Sequence, residues 1–135
     1  MIAMIFEYWF DPDDEATYRE YLAESAELRK ALPALDGFLG VERYASDTEP
    51  GKYLAVGFFR DEEAVAAWRA HPAHRRAQAL GRRRFFTRYR LRMAEVVRDY
   101  GMDDRAQAPA DSRRFHDREP AAPAPGGVAA SERRR

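Results

Sequence analysis

The first ten residues carry the pattern that most constrains the fold of this chain. Every second residue from 2 to 10 is large and apolar, and the residues between them are also apolar apart from Glu7. Successive side chains of a strand point to opposite faces, so this segment is apolar on both faces of an extended chain. A strand of that kind is typical of the middle of a sheet. We therefore predict a central strand over residues 2–10.

The segments that follow predict two helical regions and three more strands. A helix begins near Asp14 and ends before Gly37, and a second helical region runs over 61–80 with a break at Pro72. The further strands are expected at 38–44, 52–60 and 85–100. The order β-α-β-β-α-β predicts an α+β fold of the ferredoxin-like, split βαβ type. In that fold a four-stranded antiparallel sheet carries both helices on one face.

This topology leaves one face of the sheet without cover. The chain has no further apolar segment to hide that face, and a large exposed apolar patch usually marks an interface. We therefore predict a homodimer in which two sheets meet face to face. The side chains expected on the open face are Ile5, Trp9, Leu39, Val41, Val56 and Phe58.

Composition excludes several classes of protein. The chain has no cysteine and a formal net charge of zero, which excludes disulfides and cysteine nucleophiles and gives no overall field for nucleic acid or membranes. No apolar run is long enough for a membrane span, so we expect a cytoplasmic protein with no nucleic-acid or membrane partner. Nine arginines and no acidic residue lie between Ala64 and Ala94. They form either a solvated face paired with the acidic N-terminal half or a site for an anionic ligand.

The C-terminal residues differ in composition from the rest. Residues 103–135 contain only Phe115 and Val128 as large apolar residues, among clustered Ala, Pro, Gly and Arg. Such a segment cannot build a core. We predict a folded domain over 1–102 and a polar, partly disordered tail over 103–135, with disorder over 120–135 and with 103–118 along the dimer surface.

The element order, together with several short segments, resembles the antibiotic biosynthesis monooxygenase (ABM) family over residues 1–102. The segments are 2–7, 36–38, 59–64, 67–69, 74–78 and 89–102. The resemblance implies a dimeric α+β barrel. Members of that family include oxygenases that act on electron-rich polycyclic aromatics without a cofactor and heme-degrading enzymes, and many other members have no assigned activity.

Carried over residue by residue, the resemblance places Trp68 in the pocket of both kinds of enzyme. Where heme-degrading members have a histidine ligand this chain has Gln78, and where they have an asparagine near the end of the first strand it has Glu7. His74 lies one helical turn before Gln78, so an alternative heme ligand stays open.

Three residues are candidates for catalysis. His74 is the best general base by residue type, although a lone histidine on a helix is often a surface or capping residue. Glu7 is either a structural ion pair with Arg90 or Arg92, or a proton acceptor. Trp68 is either a core residue or a pocket wall that stacks on a flat ligand.

Further residues are candidates for substrate binding. Phe38, Phe58 and Tyr89 offer flat apolar surface, Gln78 a polar group, and Arg90 a positive charge for developing negative charge. His71 precedes Pro72 at the helix break and is expected to form a local hydrogen bond. No third ligand accompanies His71 and His74, so no metal site is predicted.

These observations support three hypotheses. The first is a cofactor-independent monooxygenase that acts on an electron-rich aromatic or polyketide-like small molecule. The alternatives are a heme-binding or heme-dependent enzyme of the same fold and a non-catalytic dimer that binds a small molecule. Nucleic-acid binding through the arginine-rich stretch is not favoured, because the aromatic residues alternate into the predicted core.

Overall fold

The computed structural model describes residues 1–117 and contains a four-stranded antiparallel sheet with helices on one face. The strands are β1 (Ile2–Trp9), β2 (Phe38–Ala45), β3 (Lys52–Phe59) and β4 (Arg88–Glu95). The helices of this unit are α1 (Glu15–Arg29), α2 (Glu62–Ala70) and α3 (Pro72–Leu80), with a 3-10 turn at Leu32–Ala34 and a π-helical turn at Gly81–Phe85.

Strand β1 lies in the middle of the sheet, as its two apolar faces predict. The strand order is β2-β3-β1-β4, and β1 pairs antiparallel with both β3 and β4. In this register Glu7 lies opposite Leu54 on one side and Arg90 on the other. The β-α-β-β-α-β topology is confirmed.

Side-chain caps mark where α1, α2 and α3 begin. Asp14 accepts a hydrogen bond from the backbone nitrogen of Thr17 at 3.1 Å, and Asp61 accepts one from that of Ala64 at 2.9 Å. Both contacts satisfy donors that the first helical turn leaves free. His71 caps α3 in the same way, because its Nδ1 accepts from the nitrogen of Ala73 at 3.2 Å. The predicted local hydrogen bond of His71 is confirmed.

The core lies between the helices and the even-numbered face of β1. One buried cluster gathers around Phe59 and Trp68 and a second around Tyr8 and Phe85. Tyr8 has no exposed surface at all. The two clusters hold the helices against the sheet because their side chains come from both layers, and this is where apolar burial stabilises the fold most.

A tight turn places the start of β2 against the start of α2. Gly37 has a φ of +82°, and a Cβ built there would lie 2.7 Å from the Cβ of Ala64. The backbone nitrogen of Arg60 donates to the Gly37 carbonyl at 2.7 Å. Only glycine combines this left-handed conformation with so close a neighbour.

Three details of the predicted strands are wrong. The fourth strand begins at Arg88 rather than at residue 85, because Gly81–Phe85 continues the helix as a π turn whose Gly81 leaves room for the Phe86 ring. It also ends at Glu95 rather than at residue 100. Val41 lies on the helix-covered face, not on the open face. A bulge between Phe38 and Gly40 shifts the alternation of β2 by one residue.

A second compact unit begins at Val97. Its described part contains a short helix, α4 (Ala110–His116), and a hydrogen bond from Arg105 Nη2 to Ser112 Oγ at 3.0 Å. The disorder predicted over 120–135 lies outside the described residues. None of the helices within residues 1–117 has the length and apolar character that a bilayer crossing requires.

Candidate functional site

Two cavities lie between the helices and the sheet. The first has a volume of about 170 Å³ and the second of about 290 Å³. Their linings are mostly apolar, and they share one wall, so the side chains of that wall can contact a molecule in either space. The shared side chains are Met4, Phe6, Trp68, His74, Gln78 and Phe86.

His74 is held in one orientation by Trp68. The chain breaks between α2 and α3 at His71, and this turn lays the imidazole of His74 on the indole of Trp68 with ring centroids 4.3 Å apart and ring planes inclined by 16°. The Nδ1 atom of His74 lies 2.9 Å from the Trp68 carbonyl oxygen. A carbonyl only accepts, so Nδ1 carries a hydrogen and the neutral ring keeps Nε2 as its acceptor.

The surroundings of His74 favour its neutral form. Burial lowers the pKa of His74 below its ordinary value, and the nearby His71 and Arg75 lower it further, while the Trp68 carbonyl opposes the shift. Desolvation disfavours the charged imidazolium. At neutral pH the side chain is therefore a free base in the wall of both cavities, which is the protonation state that a general base requires.

Gln78 follows His74 by one turn of α3 and adds the second polar group of the shared wall. Its side-chain nitrogen lies 3.2 Å from His74 Nδ1 and 3.4 Å from the carbonyl oxygen of Arg69, while its Oε1 accepts from Arg75 Nη1 at 3.2 Å. Because His74 Nδ1 and the Gln78 amide nitrogen both carry hydrogens, their 3.2 Å approach is not a hydrogen bond, and the contacts with Arg69 and Arg75 hold the amide. Gln78 is thus fixed beside His74, where it can contact a ligand.

Aromatic rings form much of the remaining lining. The centroid of the Phe6 ring lies 5.6 Å from that of Phe86 and 5.9 Å from that of Tyr89. Tyr89 lines the second cavity and is 41% exposed. With Trp68, which is 6% exposed, these rings offer flat apolar surfaces on which a flat ligand can stack.

The structure places Glu7 and Arg90 on the opposite face of the sheet. Together with Arg92 they line a third cavity there, of about 320 Å³. Arg92 Nη1 lies 3.0 Å from Glu7 Oε2, and Lys52 Nζ lies 4.0 Å from Glu7 Oε1. The expected ion pair of Glu7 is therefore present, with Arg92 rather than Arg90. Neither Glu7 nor Arg90 lines a cavity with His74.

Phe38 and Phe58 also lie away from His74. Phe38 packs on Phe59 with ring centroids 5.9 Å apart and lines neither helix-side cavity. Phe58 is 37% exposed and points to the open face of the sheet with its strand neighbour Val56. The eight predicted site residues thus do not form one constellation. The structure brings together four of them: Trp68, His74, Gln78 and Tyr89.

Sequence reasoning missed Arg43, a charged residue of the site. Arg43 of β2 lines the first cavity, and its Nη2 donates to Ser25 Oγ of α1 at 2.6 Å. The sequence shows Arg43 within an alternating strand, which indicates a side chain on one face of the sheet. The bulge before Val41 turns Arg43 from the open face, which unbroken alternation predicts, to the helix-covered face. Among residues 1–117 there is no cluster of three or more His, Asp or Glu side chains suited to a metal ion.

Comparison with known proteins identifies relatives over the sheet-and-helix unit. The chain is 38% identical over 97 residues to a protein of Pyricularia oryzae named jasmonate monooxygenase ABM, which covers 72% of this chain and 44% of that protein. It is 34% identical over 76 residues to the uncharacterized protein YqjZ of Bacillus subtilis, which covers 56% of this chain and 65% of YqjZ. The chain therefore spans less than two thirds of the length of either relative.

Solved structures share the fold at low sequence identity. A protein of Deinococcus radiodurans described as a putative antibiotic biosynthesis monooxygenase superposes with a TM-score of 0.63 at 18% identity, covering 76% of this chain and 98% of that one. SnoaB of Streptomyces nogalater, described as a cofactor-independent oxygenase, gives 0.60 at 13% identity, covering 73% and 94%. The family model described as antibiotic biosynthesis monooxygenase matches residues 1–80. Since that match covers more than half of its residues, the chain belongs to the antibiotic biosynthesis monooxygenase family.

Proposed function

We propose that this chain is a cofactor-independent monooxygenase that acts on an electron-rich aromatic or polyketide-like small molecule. The observation that carries the proposal is His74, a half-buried, neutral imidazole whose Nδ1 is held by the Trp68 carbonyl at 2.9 Å and which lines both apolar cavities. A base in that state can take a proton from carbon without a metal or flavin.

The proposed reaction converts an activated methylene group, such as that of an anthrone, into a carbonyl. His74 takes one proton from the methylene carbon through Nε2, and the resulting carbanion transfers electrons to dioxygen. One oxygen atom forms the new C=O bond, and the other leaves as water with the two hydrogens of the methylene. The substrate supplies all four electrons, so the balance requires no external reductant.

The walls of the cavities support this chemistry. Trp68, Phe6 and Phe86 give a flat ring system surfaces on which to stack, and they exclude water from the reacting carbon. In a lining of low polarity a proton transfer to His74 is less disturbed by solvent. Gln78 supplies a polar side chain next to His74 and can hold a carbonyl or hydroxyl group of the substrate.

We further propose that the chain acts as a homodimer, a dimeric α+β barrel in which two open sheet faces meet. Ile5 and Val56 are paired neighbours on that face, and Phe58 is exposed there. The ion pair of Glu7 with Arg92 lies on the same face. We therefore assign Glu7 to the dimer face rather than to the reacting centre, and Arg90 likewise.

Two relatives add support by name. One is called a jasmonate monooxygenase and one solved neighbour is described as a cofactor-independent oxygenase. Both descriptions are of oxygenases, and the second states independence of a cofactor. Jasmonic acid is therefore a compound to test beside an anthrone.

An oxygen electrode tests the proposal. Purified protein is supplied under air with dithranol (1,8-dihydroxyanthrone) or jasmonic acid, with a metal chelator and without flavin. We expect uptake above the uncatalysed rate, reduced by roughly 100-fold in His74→Asn, since general base catalysis contributes about that factor. His116→Asn is the matched control, because His116 is exposed and lines none of the cavities described above. No uptake by the native protein on either compound, or an unaffected His74→Asn, contradicts the proposal.

The same free nitrogen of His74 is what favours heme as the second candidate function. A hemin titration separates the two, because His74, if it held the heme iron, would give a Soret band that shifts or disappears in His74→Asn. Absence of that band in the native protein eliminates heme binding through this residue.

A further inference from the structure

Arg43 is a charged side chain at the wall of an otherwise largely apolar cavity. It extends from β2 to the helix-covered face and lines the first cavity together with Leu28, Ala55 and Phe85. Its side chain is half-buried, and its guanidinium carbon lies 5.2 Å from the centroid of the Tyr21 ring. A buried or half-buried positive charge is costly unless a negative group compensates it.

Within residues 1–117 that compensation is incomplete. No carboxylate oxygen lies within 4.0 Å of the Arg43 guanidinium in the described part of the chain, although seven other arginine or lysine side chains there form such pairs, Arg92 with Glu7 among them. The guanidinium has five N–H donors. Its hydrogen bond to Ser25 Oγ uses one of them, and Nε is shielded from solvent with no partner in the described residues.

Other charged side chains of the cavity do not fill this role. Glu24 and Arg29 of α1 also line it, but both are exposed to solvent. Glu24 forms no ion pair with Arg43 within 4.0 Å in the part of the chain that the structure describes. A ligand that enters the cavity therefore meets a positive charge that no carboxylate of the described residues pairs with.

We propose that Arg43 anchors the carboxylate group of a small apolar acid bound in the first cavity. A planar carboxylate matches the fork of N–H donors that guanidinium presents, and the hydrogen bonds of such a pair are charge-assisted. The inference rests on the proposed function, because it takes this cavity as the substrate site. It adds the class of substrate, a molecule with an apolar body and one carboxylate.

The arrangement of the walls gives the bound acid a direction. Arg43 belongs to β2 and contacts Ser25 of α1, whereas His74 belongs to α3. Met4 and Phe6 of β1, the strand beyond β3 from β2, supply apolar surface in the same cavity. The carboxylate binds at the Arg43 wall, and the part of the molecule that reaches the His74 wall is the part exposed to the base.

Calorimetry with a matched pair of probes tests the anchor. The probes are 2-naphthoate and 2-naphthamide, which have the same ring system and nearly the same shape but differ in charge. We expect the native protein to bind naphthoate about 10-fold or more tightly than naphthamide, as a hydrogen-bonded charge predicts. Equal affinities, or no binding of naphthoate, overturn the proposal without any variant.

Variants then assign the preference to its residue. In Arg43→Gln we expect naphthoate and naphthamide to bind with about equal affinity, because the site has lost its charge. Arg43→Lys keeps a part of the preference for naphthoate, because the charge stays although the fork of N–H donors is lost. Arg76→Gln removes an exposed arginine of α3 that lines none of the three cavities and controls for net charge. A preference that survives Arg43→Gln, or that disappears in Arg29→Gln instead, overturns the proposal.

The readout is independent of catalysis. Should the oxygen electrode show no turnover while naphthoate binds through Arg43, the oxygenase proposal fails and the carboxylate site stands. Should turnover of dithranol occur while naphthoate and naphthamide bind equally, the oxygenase stands and the Arg43 anchor fails.

Discussion

The imidazole of His74 lies parallel to the indole of Trp68 at a centroid distance of 4.3 Å, and its Nδ1 lies 2.9 Å from the carbonyl oxygen of that same tryptophan. One residue thus sets both the plane of the histidine ring and the nitrogen that carries its hydrogen. The chain break at His71 makes this possible, because it turns α3 back across the last turn of α2. The candidate base is oriented by the fold itself rather than by a carboxylate.

The first prediction concerns the free energy of unfolding as a function of pH. Burial lowers the pKa of His74 in the folded protein below its ordinary value of 6.5. At pH values between the folded-state pKa and 6.5, the unfolded chain therefore binds more protons than the folded one. The contribution of neutral His74 to the free energy of unfolding is complete above about pH 6.5, and it decreases as the pH falls from there through the lowered pKa of the folded state. Urea unfolding at several pH values should show this decrease in the native protein and a smaller one in His74→Asn. Equal slopes in both proteins contradict the lowered pKa.

The second prediction concerns the contact between Trp68 and His74. Trp68→Phe removes part of the ring that shields the imidazole, so water reaches His74 more easily and its pKa rises toward 6.5. The loss of core volume costs about 1–3 kcal/mol of stability. NMR titration of the His74 ring protons measures the pKa. Phe85→Leu is the control, since Phe85 is also buried but forms no ring contact with His74; a pKa change of equal size there assigns the effect to general loosening.

Much of the fold could be predicted from residue patterns. The alternation of β1, the capping residues Asp14 and Asp61 and the break before Pro72 are local signals, and the structure follows each of them. The bulge between Phe38 and Gly40 has no such signal. It arises from how β2 pairs with β3, and pairing is not encoded by one strand alone.

That single bulge explains the largest gap in the predicted site. Unbroken alternation from Phe38 places both Val41 and Arg43 on the open face, whereas the shifted register turns both to the helices. A second error assigned residues from two faces of the sheet to one site: Glu7 and Arg90 lie on the open face, whereas His74 lies on the helix-covered side. Glu7 alternates with Ile5 and Trp9 and therefore shares their open face, but a sequence does not show that the cavity of His74 lies on the other side of the sheet.

The third prediction concerns Gly37, whose positive φ and closeness to Ala64 leave no room for a side chain. Gly37→Ala should lower the free energy of unfolding by about 1–3 kcal/mol, since a non-glycine residue in this conformation is strained and its Cβ displaces the start of α2. Thermal or urea unfolding followed by circular dichroism measures the change. Gly101→Ala is the comparison, because a Cβ at Gly101 meets no atom within 4 Å. An effect no larger at Gly37 than at Gly101 means that the turn relaxes freely.

The fourth prediction concerns the open face of the sheet, where Val56 lies opposite Ile5. If a second copy covers this face, Val56→Asp buries an uncompensated carboxylate, which costs about 3 kcal/mol or more and weakens the dimer by roughly 100-fold. On a solvated face the same change alters stability by only about 0.5 kcal/mol. Sedimentation velocity over a range of concentrations distinguishes the two cases, with Ala16→Asp in the exposed first turn of α1 as the matched charge control. A native protein that sediments as a monomer throughout refutes the face-to-face dimer and leaves the helix-side cavity of His74 as a site within one chain.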